Sequence, residues 1–145
     1  MTKSEKAVEL FLKGYNCSQA VFGAFADELG VGEETAFKLA APFGGGVARQ
    51  REVCGAVSGM LMVLGLAEGY STPETKEIKA NHYETVRTLC DEFKQINGSI
   101  ICREILKNCD TGGKPAERTA EYYKERPCVR CVRTAAEIIE KRIGK

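Results

Sequence analysis

The feature that most constrains the fold of this chain is an apolar segment near its middle. Residues 53–66 have the composition of a helix that is hydrophobic on nearly every side. The longest apolar run, residues 57–67, is too short to cross a lipid bilayer. An all-round apolar helix in a water-soluble chain has to be buried by the elements that surround it. The sequence therefore predicts a central buried helix and no membrane insertion.

The remaining residues are patterned as further helices. No stretch alternates apolar and polar residues with a period of two, and Gly and Pro divide the 145 residues into helical pieces. The predicted helices cover residues 4–13, 17–29, 33–41, 53–66, 73–98, 99–106, 116–126 and 128–143, with a loop at 108–115. We expect an all-α fold, a single-domain helical bundle of residues 1–145 with short connecting helices.

Capping residues place two of the helix starts. Asn16 is followed three residues later by Gln19, which predicts a capping box at the start of the second helix. Thr72 followed by Pro73 predicts the N-cap and first position of the long fifth helix.

Composition limits the classes of function. Hydrophobic residues make up 43% of the chain and charged residues 28%, with a formal net charge of +1. Nucleic-acid binders usually carry a basic excess, so no nucleic-acid partner is expected. The first six residues are polar and resemble no secretory signal, which predicts a cytoplasmic location.

The seven cysteines carry the most chemical information. Their odd number rules out a fully paired disulfide framework within one chain, and cytosolic thiols are normally reduced. Four of them, Cys17, Cys54, Cys102 and Cys128, stand at predicted helix starts, where free N–H groups and the helix dipole lower a thiol pKa. We expect the four to converge on one site that holds a metal, a cluster or an exchanging disulfide, with Cys54 as the most reactive thiol.

The other cysteines are interpreted more plainly. Cys90 falls in mid-helix on an apolar side and is predicted to lie in the core, and Cys109 falls in a loop. Cys131 forms a C-x-x-C motif with Cys128 but lacks a second pair for a zinc ribbon. Cys109 and Cys131 are therefore interpreted as spare thiols.

Three residues near Cys54 bear on the same site. Gly55 and Gly59 each cost a helix about 1 kcal/mol relative to alanine, which predicts close approach of another backbone or a bulky group. Arg51 is predicted to be exposed to solvent, although a cation near Cys54 would lower the pKa of its thiol.

These motifs resemble a known family. The segment Cys-Gly-Ala-Val-Ser-Gly at 54–59, with an upstream Cys17 and downstream Cys102 and Cys128, is similar to the C_GCAxxG_C_C family of redox-active proteins. The resemblance covers nearly the whole chain and extends to the non-haem part of split-Soret cytochromes c. It implies a bacterial or archaeal redox protein in which the four cysteines are redox groups or iron–sulfur ligands. Arg51 stands where relatives tend to have glycine.

Two functions remain open at this stage. The first is a redox protein whose cysteines exchange disulfides or hold an iron–sulfur centre such as [2Fe–2S] for electron transfer. The second is a metal-binding structural protein with zinc or iron at the same four thiolates and no turnover. Gly55 and Gly59 would contact the cofactor. No catalytic triad or acid–base pair supports an enzymatic assignment, the redox partner is unspecified, and a homodimer is left open.

Overall fold

The computed structural model describes residues 1–73, 75–107 and 127–144. The helices in these ranges are α1 Lys3–Leu12, α2 Cys17–Ala26, α3 Glu33–Ala40, α4 Gly55–Glu68, α5 Lys76–Asn97, α6 Cys102–Leu106 and α7 Cys128–Ile143. The same ranges contain no β-strand, which confirms the all-α helical bundle. The predicted helix at 116–126, the loop at 108–115 and Cys109 lie outside the described residues.

Helices α2 and α4 share the centre of the bundle. Helix α2 packs against α1 and α4, and α7 packs against the same two helices and also contacts α2. In α2, Ser18 and residues 20–26 are buried, whereas α4 is buried through Leu64 and exposed over its last turn. The predicted central helix is therefore present as α4, but α2 is buried over more of its length. The small residues of α2, four of them alanine or glycine, allow the neighbouring helices to approach closely.

The predicted caps have different outcomes. The capping box is present: the Gln19 N–H donates to Asn16 Oδ1 at 2.9 Å, and the Asn16 N–H donates to Gln19 Oε1 at 3.0 Å. The prediction that Thr72 is the N-cap of α5 is wrong. The N-cap is Thr75, whose Oγ1 accepts a hydrogen bond from the Ile78 N–H at 3.2 Å. Pro73 precedes the helix instead of opening it. Two threonines three residues apart offered equivalent caps, and the proline favoured the wrong one.

The long helix α5 packs against the core through its C-terminal half. Leu89 and Phe93 are its buried residues, while Ile78 is 53% exposed. Buried contact with the core is therefore confined to the second half of α5. Within the described residues, no helix is both long and apolar enough to span a membrane.

Candidate functional site

A small cavity at one end of the bundle is lined by five cysteine side chains. Its volume is about 60 Å³, room for a few water-sized groups. The cysteines are Cys17, Cys54, Cys102, Cys128 and Cys131. The remaining lining residues are Phe11, Asn16, Gly45, Gly46, Arg51, Gly55, Ile105 and Leu106. The four cysteines predicted from the sequence thus surround one cavity, and Cys131 joins them.

Each predicted cysteine stands at the start of a helix, as expected. Cys17, Cys102 and Cys128 are the first residues of α2, α6 and α7, and Cys54 is the N-cap of α4. Four distant parts of the chain therefore direct their helix starts to one place.

Backbone pairing brings Cys54 and Cys102 together. The Cys54 N–H donates to the Ile100 carbonyl at 2.7 Å, and the Cys102 N–H donates to the Glu52 carbonyl at 2.6 Å. These bonds flank an isolated antiparallel bridge between Val53 and Ile101. This short pairing fixes the starts of α4 and α6 side by side.

The two glycines of α4 allow it to approach the start of α2. A Cβ on Gly55 would lie 3.2 Å from the Cys17 Cβ, and one on Gly59 would lie 2.8 Å from the Ser18 carbonyl oxygen. Both distances are too short for a side chain, so the close approach expected at these glycines is present. Gly55 lines the cavity, whereas Gly59 packs beneath it against α2. Their predicted contact with a cofactor stays a prediction.

A left-handed turn forms one wall of the cavity. Residues 45–49 all have positive φ, including the non-glycine residues Val47, Ala48 and Arg49. A Cβ on Gly46 would lie 2.7 Å from the Cys102 Cβ, so only glycine fits there. Left-handed backbone at non-glycine residues stores strain, and here that strain is located beside the thiols.

Cys54 has a lowered pKa despite its burial. The largest cause is its hydrogen-bonding interaction with the Cys131 thiol, and the backbone N–H groups of Val57 and Ala56 act in the same direction. Neither N–H makes a well-aligned capping bond, so their effect is that of nearby dipoles at the free helix end. Cys54 is only 6% exposed, and desolvation opposes the thiolate without cancelling these contributions.

Three other cavity thiols, those of Cys17, Cys102 and Cys131, have raised pKa values and favour the protonated form. Interaction with Cys128, followed by burial, raises the pKa of Cys17, and burial raises the pKa of Cys102 to about 11. Interaction with Cys54, followed by burial, raises the pKa of Cys131. The expectation that every helix start lowers the thiol pKa is therefore wrong for Cys17 and Cys102. At those positions, neighbouring sulfurs and loss of solvent outweigh the helix dipole.

Two residues of this site were misinterpreted from the sequence. Arg51 is 4% exposed rather than solvated, and its Nη1 lies 3.7 Å from the Cys102 sulfur, where its charge favours the thiolate. Cys131, interpreted from the sequence as a spare thiol, is 2% exposed and lines the cavity with the four predicted cysteines. Cys90 lies outside the cavity and is half-buried against the core, close to its predicted position.

The donor chemistry of the cavity suits a metal, but the positions do not. Thiolates are ligands for zinc and for iron–sulfur centres. In the part of the chain that the structure describes, however, no three Cys, His, Asp or Glu side chains are arranged to hold one metal ion. A centre would need the thiols to shift, and the predicted iron–sulfur or zinc cofactor stays a prediction.

The fold and the cavity define a class: an all-α protein with clustered, interacting thiols and no disulfide among its six described cysteines. A family model described as "Putative redox-active protein (C_GCAxxG_C_C)" matches residues 15–142, and the chain belongs to this family. No curated protein and no solved structure matches the chain.

Proposed function

We propose that this protein carries out thiol–disulfide exchange with the cysteines of the five-thiol cavity. The observation that supports the proposal most directly is the pairing of its sulfurs, in which Cys131 interacts with Cys54 and Cys17 interacts with Cys128. Two thiols that already interact can close to a disulfide with small movements.

The electrostatics assign roles within the pair that includes Cys54. The lowered pKa makes Cys54 the thiolate and therefore the nucleophile, and the raised pKa of Cys131 keeps it as a proton-carrying thiol until it resolves the intermediate. Closing the pair releases two electrons and two protons, which an external disulfide accepts as it becomes two thiols. In a reducing cytoplasm the resting form would be the dithiol.

A second candidate is an iron–sulfur or zinc centre on the same thiols. It is favoured by the convergence of five thiols, one more than a four-thiolate centre needs, on one cavity. Cys17, Cys54, Cys102 and Cys128 would be the ligands, an iron–sulfur centre would supply one-electron transfer, and zinc would hold the helix starts together.

One anaerobic preparation separates the two candidates. Reduced, metal-free protein is equilibrated with mixtures of reduced and oxidised glutathione and quenched with acid. Disulfides are then mapped by peptide mass spectrometry. The exchange function predicts reversible disulfides among the cavity cysteines, with Cys90 remaining a thiol. A protein whose cavity thiols never oxidise over the full range of mixtures would contradict it.

The same preparation is then incubated with ferrous iron and sulfide, or with zinc. Visible absorbance together with bound iron would support an iron–sulfur centre, and tight binding of colourless zinc would support the structural site. Failure to retain either metal would leave exchange as the function of the thiols.

A further inference from the structure

The two interacting thiol pairs lie at different depths in the protein. Cys17 and Cys128 are partly exposed, whereas Cys54 is 6% and Cys131 is 2% exposed. The cavity between them, at about 60 Å³, has no room for a peptide or for a tripeptide disulfide. Cys17 and Cys128, the outer pair, are therefore the cysteines with exposed surface that a disulfide of that size could approach, whereas Cys54 and Cys131, the inner pair, are buried.

The inner and outer pairs are close enough to exchange with each other. Cys128 and Cys131 are three residues apart in the first turn of α7, so their side chains lie on one face of the helix. On the opposite side, Gly55 brings the Cys17 Cβ to the start of α4, directly after Cys54. Residues of the two pairs are therefore neighbours in two places, Cys128 near Cys131 on α7 and Cys17 near Cys54 at the starts of α2 and α4.

We propose that the cavity is a two-stage disulfide relay, in which the outer pair exchanges with external disulfides and the inner pair is oxidised or reduced only through the outer pair. The inference rests on the proposed exchange function and adds to it an order of events. It also assigns a reacting role to Cys131, which lies outside the set of four motif cysteines.

The relay balances as two successive exchanges. An external disulfide first oxidises the outer pair to a Cys17–Cys128 disulfide and leaves as two thiols. The Cys54 thiolate then attacks the Cys128 sulfur, and Cys17 departs as a thiolate that takes up a proton. Next, Cys131 loses its proton and attacks the Cys54 sulfur, and Cys128 departs as a thiolate. The inner pair ends as a disulfide and the outer pair as a dithiol, ready for a second external disulfide.

The test compares two double variants of the full chain. Reduced wild type, Cys17→Ser/Cys128→Ser and Cys54→Ser/Cys131→Ser are mixed with glutathione disulfide, which is too large for the cavity. Samples are quenched with acid over time, and disulfides are mapped by mass spectrometry. Hydrogen peroxide, which is small enough to enter, is used in parallel to show that the inner thiols are intact. Helical circular dichroism checks folding, and Cys90→Ser serves as a control outside the site.

The relay predicts that wild type forms the Cys17–Cys128 disulfide first and the Cys54–Cys131 disulfide later. In Cys17→Ser/Cys128→Ser, oxidation of the inner pair by glutathione disulfide should slow about 100-fold, while oxidation by peroxide is retained. In Cys54→Ser/Cys131→Ser, glutathione disulfide should still form the Cys17–Cys128 disulfide, and oxidation should stop there.

Two results would overturn the relay in different ways. If glutathione disulfide oxidises the inner pair of Cys17→Ser/Cys128→Ser at the wild-type rate, the relay is wrong and the exchange function stands. If wild type forms neither disulfide at any glutathione ratio, the exchange function itself fails, and the relay fails with it.

Discussion

Burial alone raises the pKa of a cysteine thiol, and at Cys102 it does so, to about 11. Cys54 is as deeply buried, yet its pKa is lowered. The difference in pKa comes from the neighbouring groups. Cys54 interacts with a thiol donor and two backbone N–H groups, which together outweigh desolvation. Cys102 interacts with one arginine, whose effect on the thiolate is smaller than the cost of desolvation. Nucleophilic character at this site is therefore set by individual contacts and not by burial.

The first prediction removes the donor to Cys54. Replacing Cys131 by alanine should raise the pKa of Cys54, because the largest stabilising contact of its thiolate is lost. Replacing Cys131 by serine should leave the pKa close to wild type, because the hydroxyl still donates. The measurement is the pH midpoint of Cys54 alkylation on reduced, metal-free protein, read by mass spectrometry with Cys90 as internal reference. Equal midpoints in the alanine and serine variants would show that Cys131 is not the donor.

The second prediction concerns the arginine beside Cys102. Arg51→Met should move alkylation of Cys102 to higher pH, because the cation 3.7 Å from its sulfur is gone and burial remains. Arg51→Lys keeps a positive charge and should have a smaller effect. Both replacements carry a Cβ, so the strain of the positive φ at residue 51 is the same in each. If methionine and lysine give the same pH profile, the charge of Arg51 has no influence on this thiol.

At the scale of helices, the crossing of α2 and α4 depends on Gly59. Gly59→Ala should destabilise the protein by about 1–3 kcal/mol, because the new Cβ would meet the Ser18 carbonyl and the Val21 Cβ at 2.8 and 3.0 Å. Gly65→Ala on the same helix is the control. Nothing lies within 4 Å of its Cβ, so helix propensity should stabilise it by up to about 1 kcal/mol. Urea unfolding followed by circular dichroism measures the change in unfolding free energy for each variant. If both changes have the same sign, the packing argument is wrong.

The left-handed turn at 45–49 gives the fourth prediction. Ala48 is exposed and has φ 50° and ψ 43°, so glycine should relieve its strain. After allowing for the greater freedom of glycine in the unfolded chain, Ala48→Gly should stabilise the protein by about 0.5–1 kcal/mol.

The matched control for this turn is Ala67→Gly, in the exposed last turn of the right-handed helix α4. There the same change should destabilise by about 0.5–1 kcal/mol. Thermal unfolding of the two variants side by side decides the question, and destabilisation by Ala48→Gly would show that the turn is not strained.

Elements were predictable where local signals act alone. The capping box of Asn16 and Gln19 placed the start of α2, and breakers placed α1, α3 and α7 within one residue at each end. The start of α5 was predicted three residues too early, because Thr72 followed by Pro73 matches an N-cap pattern, whereas Thr75 caps the helix. The burial of α2 along most of its length was also missed. Small residues give no strong hydrophobic pattern in the sequence, and their burial depends on how closely the neighbouring helices pack.

At the scale of the molecule, the convergence of four helix starts followed from the sequence, but the composition of the cavity did not. Cys131 carried a usable signal, since a residue three positions after Cys128 on a helix lies on the same face. The sequence around Arg51 contains no pattern that predicts burial of its side chain. Its burial depends on a positive φ and on pairing of residues 51–54 with 100–103, neither of which has a sequence pattern.

The thiols also couple the stability of the whole molecule to pH. Cys102 is 7% exposed, and burial raises its pKa to about 11, above the usual thiol value of about 8.5. A group with a raised folded-state pKa contributes full stability below its unfolded pKa and loses that contribution as pH rises through the folded value. Wild type should therefore lose stability relative to Cys102→Ser between about pH 8.5 and 11, by roughly 3 kcal/mol in all.

Cys54 provides a control of opposite sign. Its pKa is lowered, so its contribution is present above the unfolded thiol value and is lost as pH falls through the folded value. The difference in unfolding free energy between wild type and Cys54→Ser should therefore stay level above about pH 8.5, where that for Cys102→Ser declines. Urea unfolding of reduced protein at a series of pH values gives both differences, and ionisation of tyrosine and lysine cancels in each. A difference for Cys102→Ser that stays flat up to pH 11 would mean that the Cys102 thiol ionises as readily in the folded chain as in the unfolded one, and that the cavity is open to water.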